Sequence, residues 1–437
     1  MTIASRALIA SPLWWLAGVL ALAGCSATPP LATPASEPVA VRANPLPADR
    51  GSDNGTAVKA QDFAQWIANF RRSARAAGID DSTLQNAFDG VHYLPRVIAL
   101  DRAQPEFTRP VWSYLDSAVS AKRVARGQEK LGALRAQVDP IAARYGVPTE
   151  VLFAFWGVES NFGTDVGDYS VIDALATLGY EGRRGEWAQG ELMAALKILQ
   201  NHDIDRTRML GSWAGAMGQT QFMPTIFLRY AVDADGDGRR DLWDSLADVM
   251  ASTANFVAQS GWQTGQPWGV EVRLPAGFDY ARADRNLRQS AAAWSGEGVQ
   301  TMDGAPMPAL ANSYVLLPAG ARGPAFLVGA NFDTVLRYNN SISYALAVGL
   351  LAQQLAGGPV VQAPWPRDLK ALSHSQLQAL QSALNAHGFE VGTPDGLVGP
   401  NTQGGIRRYQ RSQGLPADGY PSLELLQSLQ ASGAPAQ

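Results

Sequence analysis

Residues 151–163 read Val151-Leu152-Phe153-Ala154-Phe155-Trp156-Gly157-Val158-Glu159-Ser160-Asn161-Phe162-Gly163. A single carboxylate closes an otherwise apolar run, and no Lys or Arg occurs between Glu150 and Arg183 to hold it ionised. Removal from water penalises the charged form of a carboxyl group, so Glu159 is expected to keep its proton to higher pH than an exposed glutamate. Acid catalysis on sugars needs such a group. The alternative is that Glu159 merely ends a helix and faces water.

The run is entered from a helix start at Val147-Pro148, and an earlier start is expected at Asp139-Pro140, an N-cap followed by a first-turn proline. Further upstream, Phe63, Trp66, Ile67 and Phe70 recur at helical spacing. Asp80-Asp81-Ser82 is expected to cap a helix carrying Leu84, Ala87 and Phe88, and one long amphipathic helix is predicted from about 110 to 138. These segments define a helical subdomain over 59–138. Downstream, helical patterns cover 189–199, 242–256, 334–338 and 343–355, whereas 262–331 is richer in Gly and Pro. Within it, 269–274 and 314–317 alternate like strands. The chain is therefore expected to be mainly α, with a core over 139–261 and 332–356 interrupted by a small β-containing insertion.

A chain of 437 residues holds two or three domains, and its net charge of -4 points away from nucleic acid. Four His and one Cys argue against a His/Cys zinc site. That cysteine ends an apolar run at Leu22-Ala23-Gly24-Cys25, so residues 1–24 read as a signal peptide. The Leu-Ala-Gly-Cys sequence resembles the bacterial lipoprotein box, which implies lipidation of Cys25, and Ser26 resembles the pattern of outer-membrane lipoproteins. The expected location is the periplasmic face of the outer membrane, with simple secretion as the alternative. Pro, Ala and Ser dominate 25–58, expected to be a disordered tether. Residues 357–369 read as a linker, and 370–432 as a compact helical binding module.

A second patch, Gly211-Ser212-Trp213-Ala214-Gly215-Ala216-Met217-Gly218-Gln219-Thr220-Gln221-Phe222-Met223-Pro224, combines small residues with neutral hydrogen-bonding groups suited to sugar hydroxyls and acetamides. A tight helix-packing turn would also account for it. A third, 233–244, fits the twelve-residue calcium loop. Its ligand positions are Asp233, Asp235, Asp237, Arg239 (through its backbone carbonyl), Asp241 and Asp244. Asp244 stands where a longer bidentate Glu is usual, so weak binding of a structural calcium is expected, with a metal-free acidic turn as the alternative.

Gly-Val-Glu159-Ser160-Asn-Phe-Gly, the Ala214–Pro224 patch, and Arg337-Tyr338-Asn339-Asn340-Ser341 with Tyr344-Ala345 together resemble the membrane-bound lytic murein transglycosylase B family. The resemblance covers about 60–356 and implies a lysozyme-like helical core that cleaves peptidoglycan glycan strands. It implies that Glu159 is the sole catalytic acid and base, and that Ser212, Gln221, Tyr338, Asn339 and Tyr344 contact the sugar chain. It assigns no role to Gln219 or Thr220, and no cofactor to catalysis. Cleavage would proceed without water, the muramyl 6-hydroxyl attacking C1 to give a 1,6-anhydro ring. Asp165 or Asp168 as a second carboxylate would instead make the enzyme a hydrolase. A non-catalytic wall-binding scaffold is a third possibility. The segment Asp395–Thr402 with Arg407-Arg408-Tyr409-Gln410 looks like the three-helix peptidoglycan-binding domain, although Gly404 and Gly405 stand where that domain has better helix formers. The partners implied are glycan strands and, through Cys25, a membrane, and the protein is expected to act as a monomer.

Overall fold

A computed structural model describes residues 53–103 and 109–432. The signal peptide, Cys25 and the tether as far as residue 52 lie outside the described residues; 53–58, expected in the tether, already belong to the first helix.

The N-terminal helices are α1 (Asp53–Ala76), α2 (Asp81–Phe88), α3 (Pro95–Ala103), α4 (Val111–Ala118) and α5 (Ala121–Tyr145). Asp80 caps α2 as expected, accepting from the Thr83 amide. The single helix expected over 110–138 is two, because Ser120 adopts an extended conformation and its hydroxyl caps α5 by accepting from the Arg123 amide. No helix starts at Asp139-Pro140. Instead α5 runs through Pro140 and ends at Gly146 in the left-handed region. Proline forfeits one intrahelical hydrogen bond. Burial of Leu131, Val138 and Ala142 on the same face offsets that loss. Asp139 instead accepts from the Thr149 hydroxyl at 2.6 Å.

Helix α6 (Thr149–Ser160) is apolar around its whole circumference from Val151 to Gly157, and a helix of that pattern must be surrounded. It packs against α5, α10 (Leu246–Gln259) and α13 (Ile342–Leu355), itself buried continuously from Tyr344 to Ala352. Gly157 is required by this packing, since a Cβ there would lie 2.7 Å from the Phe162 ring. Alongside run the hairpin of α7 (Val171–Glu181) and α8 (Gly185–Gln200), the short α9 (Pro224–Tyr230), and α12 (Ala330–Tyr338). The two-residue strands β1 (Tyr169–Ser170) and β2 (Leu210–Gly211) pair antiparallel beside the end of α6.

The insertion is an antiparallel sheet of β3 (Gly269–Arg273), β4 (Gln300–Thr301), β5 (Tyr314–Leu316) and β6 (Ala325–Val328), ordered β4-β3-β6-β5, with α11 (Ala291–Gly296) beside it. Both alternating segments became strands. β6 escaped the sequence reading because all its residues are buried, leaving no alternation to read. A separate small core of Val272, Phe278, Trp294, Val315 and Leu327 holds the insertion together.

Helices α14 (His374–Ala386), α15 (Pro400–Ser412) and α16 (Leu423–Ser432) form the C-terminal module around Leu380, Leu384, Ile406, Tyr409 and Leu429. Gly405 is there because a Cβ would lie 2.1 Å from Val391 Cγ1. The preceding linker is strapped down. Gln362 and Ala363 amides donate to Glu271, Trp365 lies 6.4 Å from Trp112, and Arg367 forks onto Asp116 at 2.7 and 2.8 Å.

Candidate active site

Glu159 occupies the last turn of α6, and the two residues after Ser160 fix its place. Asn161 and Phe162 both have positive φ, an unfavourable backbone for side-chain-bearing residues. The Phe162 ring is buried edge-on against Trp156, which holds this strained exit in place. Ser160, fully buried, accepts from the Gly163 amide and donates to the Gln219 carbonyl at 2.8 Å.

Tyr344, in the first turn of α13, donates its hydroxyl to Glu159 Oε1 at 2.5 Å. Burial pushes the Glu159 carboxyl up to about 7, while the Tyr344 hydrogen bond opposes that rise by favouring the ionised form. Tyr338, at the end of α12, stacks on Tyr344 with ring centroids 6.3 Å apart and lies 4.7 Å from the Phe155 ring. Burial, and then the nearby Glu159 charge, raises both phenols well above their ordinary value, so both remain protonated donors. Tyr114 of α4, which the sequence reading did not single out, also feels Glu159; burial first and that charge second push it up to about 12. Asp165 and Asp168 lie exposed in the loop after α6, and among the described residues no second carboxylate acts on Glu159.

The small-residue patch forms a tight loop in which Gly215 and Gly218 take left-handed conformations. Ser212 Oγ accepts from the Ala216 amide at 3.1 Å, so this hydroxyl also shapes the turn. Gln221, at φ 51°, donates Nε2 to the carbonyls of Val166 and Gly218. Both amide protons are thereby engaged, and Oε1 is left as a fixed, uncommitted acceptor among the described residues. Tyr338 donates to the Thr220 carbonyl at 2.5 Å, tying α12 to this loop. Neither Ser212 nor Asn339, an exposed residue at the end of α12, hydrogen-bonds to Glu159.

Gln219, which carried no expected role, is the hub. Its Oε1 accepts from Trp156 Nε1 at 2.7 Å, and its Nε2 donates to the Trp243 carbonyl at 2.5 Å. Its backbone amide donates to the Leu242 carbonyl. The residue therefore joins the last turns of α6 to the acidic loop.

In that loop the carboxylates of Asp233, Asp235 and Asp248 come within 4.8 Å of one another. Asp248 belongs to the first turn of α10, is fully buried, and accepts the Ala234 and Asp241 amides. Burial raises its carboxyl pKa. No described Arg or Lys pairs with these groups, so the cluster fits a hard divalent cation, which takes oxygen ligands. Asp244, expected as the closing ligand, is instead ion-paired with Arg208. Asp241 caps the turn by accepting the Trp243 and Asp244 amides, and Asp237 accepts the Arg239 amide. A signal for Asp248 was present in the sequence: Ser245-x-x-Asp248 is an N-terminal capping pattern, and Ser245 does cap α10.

Residues 62–353 match the family model described as the transglycosylase SLT domain, and 373–429 match a peptidoglycan binding domain model. Membrane-bound lytic murein transglycosylase B of Escherichia coli (strain K12) is 37% identical over 222 residues, which is 48% of this chain and 58% of that protein's length. The crystal structure of SltB3 from Pseudomonas aeruginosa in complex with NAG-anhNAM-pentapeptide is 51% identical, covers 84% of this chain and 99% of its own, and superposes with a TM-score of 0.82. The structure of Escherichia coli lytic transglycosylase Slt35 in complex with calcium is 30% identical, with 68% of this chain and 93% of that one covered and a TM-score of 0.57.

The Glu159 carboxyl should titrate near pH 7 when followed by carbon-13 NMR of labelled glutamate. Tyr344→Phe removes the one hydrogen bond among the described residues that favours the carboxylate, so the midpoint should move upward. A downward move would contradict the assigned network.

Proposed function

The chain belongs to the SLT transglycosylase family, and from that footing we propose that it cleaves the β-1,4 bond between N-acetylmuramic acid and N-acetylglucosamine in peptidoglycan without water. The observation that carries this reading is Glu159 itself: one carboxyl, kept protonated to about pH 7 by burial, with a phenol as its only hydrogen-bond partner among the described residues.

Glu159 gives its proton to the glycosidic oxygen as the bond to the muramyl C1 breaks. The substrate's acetamido group stabilises the positive charge developing at C1. The ionised Glu159 then takes the proton of the muramyl 6-hydroxyl, and that oxygen attacks C1 to close a 1,6-anhydro ring. The carboxyl ends as it began. Because the nucleophile is held by the same sugar, its effective concentration is high and no second enzyme carboxylate is needed. Tyr344 would orient Glu159 and steady its charged form between the two proton transfers. Gln221 would offer Oε1 to a sugar hydroxyl or amide, while Tyr338, Ser212 and Asn339 would contact the same sugar chain. The hydrolytic alternative needs a carboxylate to activate water, and the exposed Asp165 and Asp168 lack any interaction with Glu159.

The C-terminal module would hold the enzyme on its polymer. Asp233, Asp235 and Asp248 would bind calcium or a similar hard cation, whose effect is to stiffen the loop that Gln219 joins to α6. Calcium should therefore raise the thermal midpoint of the wild type and leave that of Asp248→Asn unchanged; equal shifts in both would rule this site out. The Leu22-Ala23-Gly24-Cys25 sequence supports lipidation and an outer-membrane anchor. A Cys25→Ser protein that stays in the membrane fraction would defeat that assignment.

Glu159→Gln should lower muropeptide release from purified sacculi by about a thousandfold, since one residue supplies both acid and base. Wild-type release should fall as pH rises through about 7, where Glu159 loses its starting proton. A fully active Glu159→Gln enzyme would end the proposal.

A further inference from the structure

The C-terminal module and the β insertion meet in a cleft of about 480 Å³ lined by Ala281, Asp284, Gly404, Arg407, Arg408 and Arg411. Arg407 donates to Asp284 at 3.4 Å and to the Ala283 carbonyl at 2.7 Å, and Arg411 Nη2 is shared between the two Asp279 carboxylate oxygens at 3.3 and 3.2 Å. These contacts consume two of the guanidinium charges in fastening the module to the insertion. Arg408 is different. It donates only to the backbone carbonyls of Phe389 and Glu390, and no carboxylate pairs with it among the described residues. One exposed positive charge is thus left over at the wall of the cleft.

Gly404 gives the second, independent sign. Unlike Gly405, it faces no clash: an added Cβ would meet only the flexible tip of Arg408, at 3.4 Å, and its φ is not positive. Glycine inside a helix costs about 1 kcal/mol relative to alanine. Neither packing nor backbone conformation calls for it here. Gly404 lines the cleft beside Arg408 and leaves that part of its wall without a side chain.

We propose that this seam cleft binds the carboxylate of a murein stem peptide, with Arg408 as the anion-pairing residue and Gly404 as the opening that admits it. A guanidinium presents a planar fork that matches a carboxylate, and the glycan's neutral hydroxyls give it nothing comparable to pair with. Sites formed between domains are a common location for ligands. The cleft lies on the module rather than at Glu159, so it would add a peptide-dependent grip to a strand whose sugars are cut elsewhere. This assignment rests on the peptidoglycan reading above, and its readout is binding, independent of cleavage.

The test uses the whole protein carrying Glu159→Gln, which leaves the strand uncut, and measures binding by calorimetry. The ligands are soluble glycan strands with intact stem peptides and the same strands stripped of peptide by an amidase, with the lactyl carboxylates thereby exposed converted to amides. Stem-bearing strands should bind more tightly, and Arg408→Gln should reduce that preference by about fivefold, a loss of about 1 kcal/mol. Gly404→Glu, which fills the opening with a like charge in a good helix former, should reduce it at least as far. Raising the salt concentration should weaken the preference in the parent and not in Arg408→Gln. Equal binding of the two ligands by the parent, or a preference that survives both substitutions, overturns the assignment. Failure of Glu159→Gln to abolish cleavage would bear on the catalytic reading instead.

Discussion

Everything in this molecule that concerns chemistry depends on keeping one carboxyl group out of water without giving it a positive partner. Desolvation favours the protonated form, and a lysine or arginine beside it would favour the carboxylate instead. The structure resolves this with phenols. Tyr344 donates to Glu159 and so tempers the rise, yet carries no charge that would reverse it. Tyr338 and Tyr114, both protonated at any physiological pH, extend this neutral surround. Such a site can give a proton away near neutrality and also tolerate the carboxylate that remains, which a single acid-base group must do.

The apolar helix that carries Glu159 gains its precision from neighbours far away in sequence. Gly157 lets the Phe162 ring close over its last turn, and Ser160 and Trp156 are held by Gln219. Gln219 in turn is held by Leu242 and Trp243, which emerge from the acidic loop. A cation bound by Asp233, Asp235 and Asp248 would therefore act on the helix that carries Glu159 through a short, named chain of hydrogen bonds. The strap from Gln362 to Arg367 secures a different part of the molecule: Trp365 and Arg367 bind α4, which presents Tyr114 to the same carboxyl.

Residues whose role is set by local pattern were legible in the sequence. Glu159 stood out because its surroundings in the chain are apolar, the Asp80 helix start because capping is local, the Pro148 start because proline fixes a backbone angle suited to a helix's beginning, and two strands because they alternate. Residues whose role arises from tertiary contact were not. Ser120 broke a helix whose amphipathic pattern continues across it, and Pro140 sits inside a helix that burial sustains despite the missing amide. Asp248 lies beyond the twelve-residue window in which a calcium loop is sought, and only folding brings it back to Asp233 and Asp235. By residue type Gln219 and Gln221 are equivalent amides and the resemblance gives a sugar contact to Gln221 alone, so the structural role of Gln219 emerges only from its tertiary partners, while those of Gln221 leave it a free acceptor. Gly404 and Gly405 looked alike as departures, yet one is imposed by Val391 and the other is not.

The most direct measurement is mass spectrometry of muropeptides released from purified sacculi in oxygen-18-labelled water. If the muramyl 6-hydroxyl is the nucleophile and Glu159 works alone, every released reducing end is a 1,6-anhydro sugar, lighter by one water than the hydrolysed product and free of the label. Labelled, hydrated muramyl ends as the main product would show that water attacks C1, and that a second group, not Tyr344 and Glu159 alone, directs the reaction.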